Sequence, residues 1–211
     1  MNRLYPSKIP FFVRWVFPKP VYRYPADGNR VYLTFDDGPT PQITPWTLDL
    51  LKQEQIKATF FCVGNQITKH PDIFKQIIDA GHQIGNHTFE HENGWTTATK
   101  KYIESIVTTE KIIESFNVSA KLFRPPYGRI TPKQMKLIEQ ANYRIVMWSV
   151  LSGDFSAKLD IKKALAYLTE NTHAGDIIVF HDSQKAYNNL KMILPEYIKQ
   201  LKKQGYTFDI L

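Results

Sequence analysis

The chain has 211 residues, 43% hydrophobic and 22% charged, enough for one domain with a full core and unlike a disordered, collagen-like or coiled-coil composition. Lys and Arg number 27 against 20 Asp and Glu, but the basic residues are scattered, so the net charge of +7 reads as solvated helix faces and not as a nucleic-acid surface. The single cysteine, Cys62, excludes an internal disulfide, and no apolar run reaches the ~20 residues of a membrane-spanning helix.

The first thirty residues stand apart, with five of the thirteen prolines and a basic, aromatic stretch over 11–24. Arg14 interrupts the apolar patch and no small-residue cleavage site follows. A secretory signal is therefore not expected, and the chain is expected in the cytoplasm or peripheral to a membrane. Residues 1–29 read as an extended arm packed on a domain spanning 30–211. A second reading has Phe11, Phe12, Trp15, Val16 and Phe17 entering a lipid interface, with Arg14 and Lys19 at the head groups.

From Arg30 onward, short apolar segments alternate with amphipathic ones. Strand 31–35 runs into Asp36-Asp37-Gly38-Pro39. Two carboxylates after a buried strand are costly unless a cation holds them, and the sharp turn suits a site loop; a plain Asp-Gly turn is the alternative. Thr44 and Pro45 read as N-cap and first residue of a helix carrying Leu48 and Leu51. Strand 58–63 follows, with Cys62 as a small buried hydrophobe, and then a helix over 71–80 that stops at Gly81. Strand 83–86 delivers His87-Thr88-Phe89-Glu90-His91, whose i, i+4 histidines would share one face of a helical turn and converge on a metal ion. A carboxylate from the aspartate pair would complete a three-ligand set of the kind catalytic zinc sites use.

A helix over 97–116 precedes strand 122–124, which ends in Arg124-Pro125-Pro126-Tyr127-Gly128. The two prolines fix an extended segment able to hold the guanidinium as a bidentate partner for a carboxylate; a surface turn is the alternative. A helix after Thr131-Pro132, strand 143–148, a loop containing Asp154-Phe155 and a helix over 161–168 follow. Strand 176–180 then places His181-Asp182 at its end, where a histidine has a titration range suited to proton transfer. Helix 190–203, closed by Gly205, and strand 207–211 complete the chain. Trp95 and Tyr187 fall in loops near the histidine segments, positions suited to stacking on sugar rings. His70, His82 and His173 read as surface or capping residues. The alternation predicts an α/β protein with a parallel sheet and outer helices, open or closed into a barrel, and chemistry at the strand C-termini.

The order of Asp36-Asp37, His87 with His91, Arg124 to Tyr127, Asp154 and His181 resembles the polysaccharide deacetylases of carbohydrate esterase family four, the NodB-homology domain, from about Arg30 to the C-terminus. The resemblance implies a distorted (β/α)7 barrel. It also implies a metal-dependent hydrolase that removes N-acetyl groups from a glycan containing N-acetylglucosamine, such as peptidoglycan or chitin, and releases acetate. Asp36 would be the catalytic base and Arg124 its tether. Asp37, His87 and His91 would hold Zn²⁺, or another divalent ion such as Co²⁺, Ni²⁺ or Fe²⁺. Tyr127 would offer a backbone N–H to the oxyanion, and His181, paired with Asp154, would be the general acid. The family often has an aspartate where Leu151 stands, a tryptophan at Phe155 and a leucine at Val179. Phe155 and Val179 would wall the pocket for the acyl methyl, so their altered volumes bear on acyl and sugar preference. The expected partner is a carbohydrate, not a nucleic acid, handled by a monomer with peripheral membrane contact through 11–24 as an option. Rival readings are a deacylase of a membrane glycolipid or of a small cyclic amide or imide, and a non-catalytic carbohydrate-binding domain.

Overall fold

The structure, a computed structural model, describes residues 20–26 and 28–211. Among the described residues there are eight strands: β1 (Arg30–Asp36), β2 (Thr59–Cys62), β3 (Gln83–Asn86), β4 (Leu122–Phe123), β5 (Arg144–Ile145), β6 (Val150–Leu151), β7 (Ile177–His181) and β8 (Thr207–Asp209). They form one parallel sheet in the order β5-β4-β3-β2-β1-β7-β6, with β8 added to the first residues of β1. Seven α-helices among the described residues connect them: α1 (Ile43–Gln53), α2 (Gly64–Lys69), α3 (Pro71–Asp79), α4 (Thr99–Glu114), α5 (Pro132–Gln140), α6 (Ile161–Asn171) and α7 (Tyr187–Lys203).

β1 is buried from Val31 to Asp36, as a strand covered on both faces must be. On the convex side Leu33 and Phe35 of β1 pack with Phe60 of β2 and with Leu51, Ile77, Ile193, Leu194 and Ile198 of α1, α3 and α7. Phe35 and Phe60 stack with centroids 4.9 Å apart. The concave side holds a smaller cluster of Tyr32, Phe61, Leu122, Val146 and Ile177. The expected distorted barrel takes the form of a curled half-barrel. Its edges, β5 and β6, are joined by residues 146–149 with no helix between them.

Residues 20–26 lie extended across that open side. Val21 pairs in parallel with Val146 at the β5 edge, and Arg23 pairs antiparallel with Asp176 just before β7. Arg23 also donates to the Ala174 carbonyl at 2.7 Å and meets Asp176 at 3.1 Å. These contacts hold residues 21–23 against the sheet edge and the turn before β7. Phe11, Phe12, Trp15, Val16, Phe17, Arg14 and Lys19 lie outside the described residues. Among those described, no helix is long and apolar enough to cross a membrane.

Several local expectations are corrected. α1 begins at Ile43 after Gln42 (φ 66°), so Pro45 still falls in its first turn but Thr44 is not the cap. Strand 143–148 shortens to Arg144–Ile145, because Val146 turns its pairing to Val21 and the Val146 and Met147 carbonyls accept from Arg124. α2 and β6 are additional. The helix expected after Thr131-Pro132 is α5, and Thr131 caps it: Thr131 and Gln134 exchange side-chain and backbone hydrogen bonds as a capping box. Gly81 (φ 73°) and Gly205 (φ 84°) do adopt the left-handed conformation that ends a helix.

Candidate active site

All the residues singled out at strand ends converge on one mouth of the half-barrel. Asp36 closes β1, and Asp37 follows with φ 85°, so the two adjacent carboxylates leave the strand in different directions. Asp36 turns inward and is 4% exposed. Its Oδ1 accepts from Arg124 Nη1 at 2.6 Å. Arg124 is fully buried, with Nη1 also donating to Thr34 Oγ1 (2.7 Å) and Nη2 to the Met147 carbonyl (2.9 Å). Its guanidinium lies 4.0 Å from the Phe61 ring centroid. The bidentate fork expected of Arg124 is therefore not made. Only one nitrogen reaches Asp36, because the others satisfy buried carbonyls that would otherwise lack donors.

Asp37 turns the other way, toward His87 and His91. Those histidines are not on a helical turn, contrary to expectation: the chain after β3 is irregular, with positive φ at Thr88 (65°) and His91 (58°). The turn is pinned by the Asn86 side chain, which accepts from the Thr88 N–H at 2.9 Å and donates to the Ile106 carbonyl at 2.8 Å. His91 Nε2 lies 3.2 Å and His87 Nε2 3.8 Å from Asp37 Oδ1. One ligand atom from each of the three residues falls within 4.8 Å of the other two. Two ligands held tetrahedrally by zinc at their usual bond lengths sit roughly 3.3 Å apart, so the spacing suits a small divalent ion.

Two further features fit a cation. Asp37 Oδ1 is buried without a hydrogen-bond partner. His87 Nδ1 lies 2.7 Å from the Arg124 carbonyl; as the donor there it leaves the Nε2 lone pair facing Asp37. Burial pushes His87 down to about 4, so its imidazole is neutral. Burial alone would raise the Asp37 carboxyl, but the neighbouring His91 and the charge of His181 hold it well below the usual range.

Across the mouth, His181 at the end of β7 is clamped by fully buried Asp154. Nδ1 lies 2.7 Å from Asp154 Oδ1, and the His181 backbone N–H donates to Oδ2 at 2.8 Å. Burial would lower the imidazole, but the Asp154 carboxylate, helped by Asp37 and Asp36, raises it to about 9. His181 therefore carries a proton at neutral pH.

Asp36, Asp37, His87, His91 and His181 line a cleft of about 590 Å³ that also includes Tyr127, Trp148, Leu151, Phe155, Val179, Gln66 and Lys185, with Arg124 and Asp154 buried behind it. Val179 is buried in its wall, and Phe155 stands edge-on to His181 at 5.2 Å with Lys185 Nζ 5.5 Å from its ring centroid. Tyr127 is 61% exposed at the rim, edge-on to His91 at 4.6 Å. Its backbone is left-handed (φ 60°), in a short 3-10 turn over Pro126–Gly128 and not an extended segment. Tyr187 does not line the cleft: it opens α7 and packs edge-on against Trp46. His82 is buried, its Nδ1 accepting from the Ala58 N–H.

One residue was not anticipated. Asp182, buried behind the site, accepts from the Gly38 N–H at 3.0 Å and from the Thr44 hydroxyl. Gly38 has no room for a side chain, since a Cβ there would lie 2.0 Å from Asp182 Oδ2. Burial lifts Asp182 to about 7, and the Asp37 charge pushes the same way. The signal is the His181-Asp182 pair itself, whose second member is given no role from sequence.

A family profile described as polysaccharide deacetylase matches residues 23–146. A peptidoglycan-N-acetylglucosamine deacetylase of Bacillus cereus is 34% identical over 188 residues, covering 89% of this chain and 88% of its own. A crystal structure of a peptidoglycan N-acetylglucosamine deacetylase, in complex with an N-hydroxybenzamide carrying a naphthyl group, superposes with a TM-score of 0.83 at 35% identity, covering 96% of this chain and 95% of that one. A CE4 family pseudoenzyme from Bacillus anthracis reaches the same TM-score at 27% identity, over 92% of this chain and 68% of its own. The shared fold therefore does not by itself decide activity. The groups in the cleft must.

Proposed function

This chain belongs to the polysaccharide deacetylase family, and from that premise we propose that it is a metal-dependent hydrolase removing N-acetyl groups from N-acetylglucosamine residues of a glycan. Residues 30–211 are the catalytic unit and 1–29 its arm. The observation that carries the reading is the division of labour between neighbouring aspartates: Asp36 is bound to Arg124, Asp37 faces His87 and His91, and a protonated His181 stands across the cleft. Relatives named as peptidoglycan N-acetylglucosamine deacetylases supply the substrate class.

Asp37, His87 and His91 would hold the divalent ion, for which we take Zn²⁺, with Co²⁺, Ni²⁺ or Fe²⁺ able to use the same ligands. When bound, the ion supplies a Lewis acid that acidifies water and polarises a carbonyl. Asp36 takes the proton of the attacking water. Arg124 aims that carboxylate and gives it the cationic partner a buried acid requires. The Tyr127 backbone N–H donates to the oxyanion; one such donor contributes about 2.7–4 kcal/mol. His181 gives its Nε2 proton to the departing amine nitrogen, and Asp154 holds that imidazole in orientation and charge. Phe155 and Val179 exclude water around the acyl methyl. The products are acetate and a free amino sugar.

Acetate release from N-acetylglucosamine oligomers and from peptidoglycan, with and without a chelator and with Zn²⁺ or Co²⁺ restored, tests the proposal. Release that stops on chelation and returns with metal supports it. No release from any N-acetylated glycan, with metal present, ends it.

A further inference from the structure

Beyond the cleft, two loops are bolted together around an exposed aromatic. Trp95 is 65% exposed, yet its indole N–H donates to the Ile130 carbonyl at 3.3 Å. Gln134, buried in the first turn of α5, donates to the Gly94 carbonyl at 2.8 Å and to the Thr97 carbonyl at 3.3 Å. Gly94 sits so tightly on the neighbouring chain that a Cβ there would lie 2.4 Å from the Arg129 carbonyl oxygen. The segment carrying Trp95 is thereby fixed on the segment that follows Arg124.

The Arg129 guanidinium stands between two rings, 5.1 Å from the Trp95 centroid and 5.9 Å from that of Tyr127. Among the described residues, Arg129 has no carboxylate within ion-pair distance. Tyr127 in turn touches His91, so the platform runs from the metal ligands outward past the cleft rim. A rigid, solvent-facing pair of aromatic rings adds little to the core and offers apolar area at small entropic cost. A guanidinium close to two rings and paired with no carboxylate offers its donor fork to a planar anion. The net charge of +7 would draw an anionic strand toward it.

We propose that Trp95, Tyr127 and Arg129 form a binding subsite for a saccharide residue next along the strand to the one deacetylated, and that this residue bears a carboxylate, directly or through a substituent. The inference rests on the glycan reading above and adds the charge and position of the neighbouring unit. The sugar's C–H face stacks on the rings while Arg129 grips the carboxylate.

The test is binding to protein carrying Asp36→Asn, which slows turnover of the probes during the titration, with Trp95→Ala or Arg129→Gln added. Three probes of equal length are titrated by calorimetry: neutral N-acetylglucosamine oligomer, peptidoglycan strands stripped of peptide, and strands retaining their peptides. Arg129→Gln should weaken one or both carboxylate-bearing probes by about tenfold and leave the neutral oligomer within about twofold. Loss on stripped strands places the carboxylate on the sugar; loss only on strands with peptides places it on the substituent. Trp95→Ala should weaken all three by a similar factor. Unchanged affinity of every carboxylate-bearing probe in Arg129→Gln, equal loss on the neutral oligomer, or no effect of Trp95→Ala overturns the proposal. Acetate release by the unmutated protein is read separately: probes that bind through the platform but release no acetate sink the deacetylase and leave the subsite standing.

Discussion

At the scale of single residues, the adjacent aspartates show how much the backbone decides. Asp36 and Asp37 differ by one position, yet a positive φ at Asp37 sends one carboxylate to Arg124 and the other to the histidines. Asp36→Asn should lower kcat by about 10²–10⁴-fold and leave metal content at one ion per chain, whereas Asp37→Ala should lose the ion; elemental analysis beside acetate assays separates them. If Asp36→Asn loses the metal instead, the two roles are reversed. His181 supplies a pH signature. With its proton affinity raised to about 9, kcat/KM should fall on the basic side with a midpoint near there. Asp154→Asn should move that limb to lower pH, since the Asp154 carboxylate is the main influence raising it. The same shift affects stability: the imidazole's contribution is complete below its unfolded value, near 6.5, and fades as pH rises through about 9. The residue types were legible because carboxylates and imidazoles at apolar strand ends need a reason to be there. Their geometry was not: the irregular turn at Thr88 and the carbonyls that Arg124 satisfies depend on segments far away in sequence.

At the scale of elements, the loop from β1 to α1 is held from behind. Gly38 and Thr44 both donate to Asp182, and together they fix the turn that carries Asp37. Gly38→Ala would drive a methyl into that carboxylate, break both hydrogen bonds and leave a buried acid without donors. The expected cost is about 2–5 kcal/mol in urea denaturation, with weaker Zn²⁺ binding by calorimetry. A protein of unchanged stability and metal affinity would contradict this account of the loop. Thr44 illustrates a limit of reading helix starts from sequence. Threonine before proline is a good cap signal, but the hydroxyl is claimed by an acid 138 residues away. Thr131, with no such competitor, caps α5 as its sequence indicates.

At the scale of the whole molecule, alternating strands and helices announce a parallel sheet but do not say whether it closes. Closure depends on the edges. The direct link from β5 to β6 omits a helix, and residues 20–26 occupy the open side instead. Arg23 is the strongest tie in that segment, through Asp176, which is 2% exposed, and the Ala174 carbonyl. Arg23→Ala should cost about 1.5–3 kcal/mol by urea denaturation, with the site's metal stoichiometry intact. A loss within experimental error would show that the segment merely rests on the sheet.

Arg124 links the two halves of the cleft in a way its guanidinium alone does not reveal. Its side chain aims Asp36, while its own main-chain oxygen orients the ring of His87. One residue thus acts as a jig for both, so the gap between the Asp36 carboxylate and the His87 ring is set by the internal dimensions of a single amino acid. Drift of the surrounding loops would carry both together and preserve their spacing. Because every substitution keeps the carbonyl, replacing this arginine would strip the base of its guide and leave the imidazole aligned, which makes the two halves separable by chemistry although they are joined by structure.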